Sequence, residues 1–186
     1  MTVNRTSRLR LLFSRVPALM ARMVAASLLV ATAGSAVAIA APQTGAVTGL
    51  PIPRFVSLKS DRVNLHEGPA KDHRTVWIYQ RAGLPVEITA EFDTWRKIRD
   101  SEGTEGWVLH SLLSGRRTAM IMPKGVETLL KASPSPDARP VAKLQTGVIG
   151  AIKTCRDNWC RLIGEKFDGW VEQSKLWGSY PGELVE

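Results

Sequence analysis

From residue 55 onward, apolar and polar side chains alternate in short runs broken by turn residues. Phe55-Val-Ser-Leu-Lys59 and Pro85-Val-Glu-Ile-Thr89 alternate with a period of two. Trp95-Arg-Lys-Ile98 and Gly106-Trp-Val-Leu109 follow after turn residues. No stretch of this region sustains the 3.6-residue period of an amphipathic helix. The pattern predicts an all-β fold of small barrel type.

The pattern also repeats. Leu65 to Pro69 matches Leu130 to Pro134 at an offset of 65, as do Val76 with Val141 and Gln80 with Gln145. At 64, Gly83 matches Gly147, Ile88 matches Ile152, Asp93 matches Asp157 and Trp95 matches Trp159. At 63, Gly106-Trp-Val108 matches Gly169-Trp-Val171, and Ser111, Leu113 and Gly115 match Ser174, Leu176 and Gly178. Both one-residue deletions fall at expected turns, where length changes cost little. Two copies of one unit follow: a first barrel over 54–121, a second over 122–180, and a tail over 181–186. Units of ~60 residues are marginal alone. The near-absence of a linker around Met120 to Gly125 therefore predicts that the two pack together.

The segment ahead of the repeats reads as a leader. Arg5, Arg8, Arg10, Arg15 and Arg22 precede 19 uncharged residues from Met23 to Ala41, ending in the A-x-A sites Ala36-Val-Ala38 and Ala38-Ile-Ala40. This is the layout of a signal peptide over 1–40, with cleavage expected after Ala40; the start is Met1, Met20 or Met23. The other reading, a retained single-span anchor, meets an Ala- and Gly-rich run after Leu29, which suits a bilayer poorly. No cysteine stands at the cleavage point to carry a lipid. Contact with a membrane would thus come only through the uncleaved leader. Residues 41–53, rich in Pro, Gly and Thr, read as a linker.

The leader also explains the charge. The chain carries 25 basic and 17 acidic residues, and five of the basic ones lie in the first 40 positions, which hold no acid. A remainder of 20 against 17 gives no reason to invoke nucleic acid. Export, periplasmic or secreted, makes a disulfide the natural state of the two cysteines, Cys155 and Cys160. They flank Arg156-Asp-Asn-Trp159, a hairpin turn, so they should oppose each other across it. Glu91 and Arg96 hold the same slot in the first copy, where an ion pair would serve.

Arg62-Val-Asn-Leu-His-Glu-Gly-Pro69, Gly83-Leu-Pro-Val-Glu-Ile88, Trp95-Arg-Lys-Ile98 and Gly106-Trp-Val108 resemble bacterial SH3-like domains. The Cys155…Trp159-Cys160 and Leu176-Trp-Gly-Ser-Tyr-Pro181 segments look like the second domain of paired SH3-like envelope proteins of proteobacteria. The second copy departs where Ser133-Pro134 replaces Gly68-Pro69. The resemblance implies two tandem barrels of about five strands and a binding or spacing role. Such domains often accompany cysteine peptidases, but the barrels consume the chain after the leader, and no histidine follows His110. Neither a phosphate loop, a catalytic triad order nor metal-ligand spacing is present. The expectation is no enzyme, no cofactor and no metal.

Tryptophan is the one enriched residue, with six. Trp95 with Trp159, and Trp107 with Trp170, recur in both copies and read as packing residues. Trp77 aligns with Ala142, so the barrel does not require it; it is a candidate for a ligand contact or for an interdomain contact. His66 and Glu67, in the loop that borders the peptide groove of SH3-like barrels, are further candidates, unless Gly68 and Pro69 make only a turn there. Arg74 and Arg81 would attract acidic groups. The expected ligand is a peptidoglycan peptide or an envelope protein. The alternative is a structural or assembly subunit, with Trp177 and Tyr180 as an exposed partner surface.

Overall fold

The computed structural model describes residues 43–122 and 127–186; the expected signal peptide over 1–40 and its expected cleavage site lie outside them. Two seven-stranded antiparallel sheets account for the fold, and both lie in one compact unit.

Ahead of the first sheet, β1 (Gln43–Thr44) pairs with β2 (Pro51–Ile52). The first sheet contains β3 (Arg54–Leu58), β4 (Val63–His66), β5 (Thr75–Tyr79), β6 (Pro85–Phe92), β7 (Trp95–Arg99), β8 (Glu105–Leu109) and β9 (Leu113–Ser114). The second contains β10 (Thr118–Ile121), β11 (Thr128–Lys131), β12 (Pro140–Leu144), β13 (Ile149–Arg156), β14 (Trp159–Ile163), β15 (Asp168–Glu172) and β16 (Leu176–Trp177). Strand order is β5-β4-β8-β7-β6-β3-β9 in the first and β12-β11-β15-β14-β13-β10-β16 in the second. The topology is the same twice. A short 3-10 turn, His110–Leu112 or Gln173–Lys175, precedes the last strand of each.

Alternation drives each sheet around a core of its own. Val63 and Leu65 are fully buried in the first, beside Leu58, Val86, Ile88, Ile98 and Val108. Ile121, Leu130, Leu144, Leu162 and Val171 fill the second. Where the first core has Val86, the second has Gly150, and a Cβ there would come within 3.0 Å of the Phe167 ring. Phe167 thus supplies the volume that Val86 supplies in the first copy. Turn chemistry repeats too. Asp93 and Asp157 both adopt left-handed backbone (φ 45° and 52°) at the matching hairpin tips, a conformation aspartate tolerates better than most residues.

Three expected boundaries are corrected. Thr118–Ile121 pairs with β13 and β16, so it opens the second barrel and does not close the first. Only Gly115 to Arg117 separates the two sheets. The 41–53 linker contains the β1–β2 hairpin, whose loop is held by Glu91: the amides of Val47 and Thr48 donate to its carboxylate at 3.0 and 2.8 Å. The 181–186 tail is anchored as well. Val185 and Cys155 exchange backbone hydrogen bonds at 2.8 and 3.2 Å, and Glu183 accepts two from Arg117 at 2.7 and 3.0 Å. Composition made 41–53 a linker because Pro and Gly mark turns; it carried no trace of the side chains elsewhere that capture these segments.

Candidate functional site

Strand β4 turns Val63 and Leu65 inward, which leaves Asn64 and His66 facing out. With Arg62, Lys71, Trp95, Leu109 and Leu112 they line a groove of about 380 Å³. The His66 ring stands edge-on to Trp95, centroids 5.3 Å apart. Its Nδ1 lies 2.9 Å from the carbonyl oxygen of His73. A carbonyl can only accept, so Nδ1 carries the proton and Nε2 is the free ring nitrogen. Gly68 makes room for the loop: a Cβ there would come within 2.5 Å of the His73 ring.

The second barrel forms the same groove again. Glu127, Leu129, Lys131, Pro136, Trp159, Glu172 and Lys175 line a cavity of about 310 Å³. Each is the repeat partner of one residue of the first groove, at offsets of 65, 64 and 63 along the chain. Only the tryptophan is kept. Arg62, His66 and Lys71 give the first groove basic groups and no acid, and neither Arg62 nor Lys71 takes part in a described ion pair. In the second, Glu172 pairs with Lys175 at 3.0 Å, and Glu127 with Lys143 at 3.1 Å. The charged lining residues of the first groove are all basic, whereas the second carries two acids and two bases.

Of the repeated tryptophans, Trp95 and Trp170 are buried and Trp107 and Trp159 half-buried. Trp95 is only 6% exposed, but it lies outside the first core cluster. It shares strand parity with Lys97 and Arg99, opposite to the buried Ile98, and it is covered from the groove side. Trp107 alternates with the buried Gly106 and Val108, and Trp170 lies under the guanidinium of Arg156 at 5.1 Å. Repetition in sequence argued for packing, and Trp95 and Trp170 are buried; Trp95 and its counterpart Trp159 also line the two grooves.

The other candidates separate. Trp77 is 56% exposed on β5, opposite Leu65, and is not among the groove's lining residues. Glu67 and Arg74 form an exposed ion pair at 3.5 Å in the loop that carries Lys71. Arg81 lies in a larger cleft of about 740 Å³ between the barrels, donating to the Gly147 carbonyl at 2.7 Å.

Trp177 and Tyr180 correct the expectation of an open partner surface. Both face the first barrel. Trp177 Nε1 donates to the Pro85 carbonyl at 3.0 Å, and its ring meets Phe55 edge-on at 5.0 Å. Tyr180 lies 4.7 Å from Phe55 between ring centroids and donates its hydroxyl proton to Glu87 at 2.7 Å. Burial, then the bond to Glu87, pushes the Tyr180 phenol far above its ordinary range. Glu87 is itself buried and also accepts from Arg99 Nε at 2.8 Å. Thr118 completes the seam, donating to the Gly83 carbonyl at 2.8 Å. An apolar patch on a ~60-residue unit is here the contact with its own twin.

Cys155 and Cys160 are joined in a disulfide, as the hairpin spacing predicts. Neither sulfur is therefore a thiolate nucleophile in this state.

A family model described as bacterial SH3 domain matches the chain twice, over residues 59–115 and 124–178. No curated protein matches the chain at a comparable level. Among solved structures, the chain is similar to NlpC2 and NlpC1 from Trichomonas vaginalis, at 13% and 14% identity and a TM-score of 0.31 in each case. The matches cover 67% and 72% of this chain and 48% of each of those chains, so this chain spans about half their length.

Proposed function

This chain belongs to the bacterial SH3 domain family, with two copies in tandem, and from that premise we propose that it is an exported, non-catalytic binding module whose first barrel holds an anionic cell-wall peptide. One observation carries the reading: of two grooves built at matching positions, only the first gathers basic side chains around its tryptophan without acids to neutralise them. Extended peptides laid against aromatic rings are a recurring recognition mode. Stem peptides of the cell wall bring carboxylates, which suit Arg62 and Lys71, while Leu109 and Leu112 suit apolar side chains. Free His66 Nε2 adds one directional contact. Glu67 and Arg74 flank this ligand from the loop. The disulfide favours an oxidising compartment, in keeping with a leader that is removed on export. A purely structural role loses its main support, because Trp177 and Tyr180 are engaged within the chain.

The test is co-sedimentation of the purified protein with cell-wall sacculi, paired with titration of free stem peptides. Arg62→Glu and Lys71→Glu should each weaken retention roughly tenfold, the scale of one charge-assisted contact. Lys131→Glu, at the matching place in the second groove, should change it little. Retention that ignores both first-groove reversals, or depends on Lys131, would count against this assignment.

A further inference from the structure

We propose, resting on the peptide reading above, that His66 makes the first groove select a main-chain amide N–H of the ligand and reject an ester linkage of the same shape. The reason lies in which ring nitrogen holds the proton. A neutral imidazole has one donor and one acceptor, and the bond made by one nitrogen sets the role of the other. Nδ1 donates to the His73 carbonyl oxygen at 2.9 Å, so Nε2 carries a lone pair and accepts. Among the described residues nothing donates to it.

The tautomer is held by the fold. The loop that brings His73 back to His66 is closed at its base, where the Glu67 amide donates to the Arg74 carbonyl at 3.0 Å. The edge-on contact with Trp95 fixes the ring from another side. A carbonyl cannot turn into a donor, so His66 cannot exchange its two nitrogens without losing this bond.

The other polar groups of the groove do not read the ligand this way. Arg62, Lys71 and the Trp95 indole only donate. Asn64 offers a donor and an acceptor, and its amide can flip to suit either partner. His66 Nε2 is the acceptor whose sense is fixed. Charge then decides which donor it takes. An ammonium would be repelled by Arg62 and Lys71, whereas the amide of an extended peptide is a neutral N–H. An ester puts an oxygen lone pair where that N–H would be, and leaves Nε2 facing it. Sites built to bond an N–H discriminate strongly against analogues that lack it.

The second barrel holds the opposite arrangement. Lys131 is the repeat partner of His66 at an offset of 65. The two pair across the sheet with matching tryptophans, His66 with Trp107 and Lys131 with Trp170, and each lines its own groove. Lysine has three donors and no acceptor. At one register position, then, the first groove accepts and the second donates.

The test is an ester scan at about pH 8, above the range in which histidine ordinarily changes charge. A synthetic stem peptide and analogues with one main-chain amide replaced by an ester are titrated into the purified protein and into His66→Lys. One ester should bind the native protein roughly tenfold more weakly than the parent, and the two should bind His66→Lys alike. This ratio is internal to each protein, so a general change in stability or charge does not move it. Nitrogen-15 spectra of the His66 ring should show a protonated Nδ1 and a bare Nε2, with the Nε2 resonance shifting on the parent peptide and not on the rejected ester. A proton on Nε2 in the free protein overturns the proposal, as does a loss that persists in His66→Lys. Equal binding of the parent and every ester overturns this selection alone; a parent peptide that does not bind overturns the cell-wall reading and the selection with it.

Discussion

Glu91 stands directly across the β6–β7 hairpin from Arg96, the carboxylate 3.5 Å from the guanidinium. Its repeat counterpart is the Cys155–Cys160 disulfide, across β13 and β14. One chain closes the same hairpin twice, once by charge and once by a covalent bond. In each copy this position also holds a segment from outside the repeat: Glu91 binds the β1–β2 loop, and Cys155 binds Val185 near the C-terminus.

Glu91→Gln should therefore cost more than a surface charge does. The Glu91 side chain is inaccessible and also accepts from Thr48 Oγ1 and Arg54 Nη2, each at 2.7 Å. Removing its charge leaves Arg96 buried without an acid, a loss of about 3 kcal/mol. Chemical denaturation measures this, and amide exchange at Val47 and Thr48 should quicken well beyond the global change.

The same carboxylate gives an acid limit. Burial alone would raise its pKa, but the bonds from Thr48, Arg54 and Val47 prevail and hold it at about 2. Its unfolded value is near ~4.3. The folded state thus binds fewer protons, so the contribution is complete above the unfolded value and is lost as pH falls toward about 2. A pH series of melting temperatures should show a decline across that window in the native protein, and a shallower one in Glu91→Gln.

Cys155→Ala with Cys160→Ala removes a short loop closure, worth roughly 2 kcal/mol in the chain-entropy model. Reductant should lower the melting temperature of the native protein to that of the double variant and leave the double variant unchanged. A first barrel that unfolds at the same lowered temperature would show that the seam couples the two units.

That coupling runs through Trp177 and Tyr180. Trp177→Ala removes an aromatic ring packed on Phe55 and a hydrogen bond to Pro85, a loss of about 3 kcal/mol. Because the lost contact joins two separate cores, calorimetry should resolve one transition into two. Tyr180→Phe is milder, since Arg99 still satisfies Glu87; it should cost about 1 kcal/mol and keep unfolding cooperative.

Much of this was legible in the chain and some was not, for identifiable reasons. Alternation and the 65-, 64- and 63-residue offsets specify two sheets, because strand parity is a local property that the repeat records twice. The groove was half legible. His66 was found through its loop, but Arg62, Asn64, Lys71 and Leu112 become neighbours of Trp95 only when β4 and β7 are carried to β8. Trp95 was read as a packing residue, in line with its burial, but repetition could not show that it also lines a groove. Trp177 and Tyr180 were recognised as unusual apolar residues, yet the surface that covers them, Phe55 and Glu87, lies some 90 to 125 positions earlier.

The Gly-Trp-Val element connects fold to groove in a way that one substitution tests. Gly106 lies where β8 passes under β4: a Cβ there would come within 2.6 Å of Leu65 Cγ and 2.8 Å of the His66 carbonyl oxygen. Backbone cannot yield as a flexible side chain can, so Gly106→Ala must push β4 away from β8. The cost should be roughly 1–3 kcal/mol, as for other overpacked sites. His66 and Asn64 move with the strand, so sacculus retention should fall even at temperatures where the variant is fully folded. Gly83→Ala is the comparison. Its backbone is left-handed (φ 75°) with open space around the position, so it should lose about 1 kcal/mol through conformation alone and keep its retention. Equal losses of retention in both variants would mean that global stability, and not the placement of β4, governs binding.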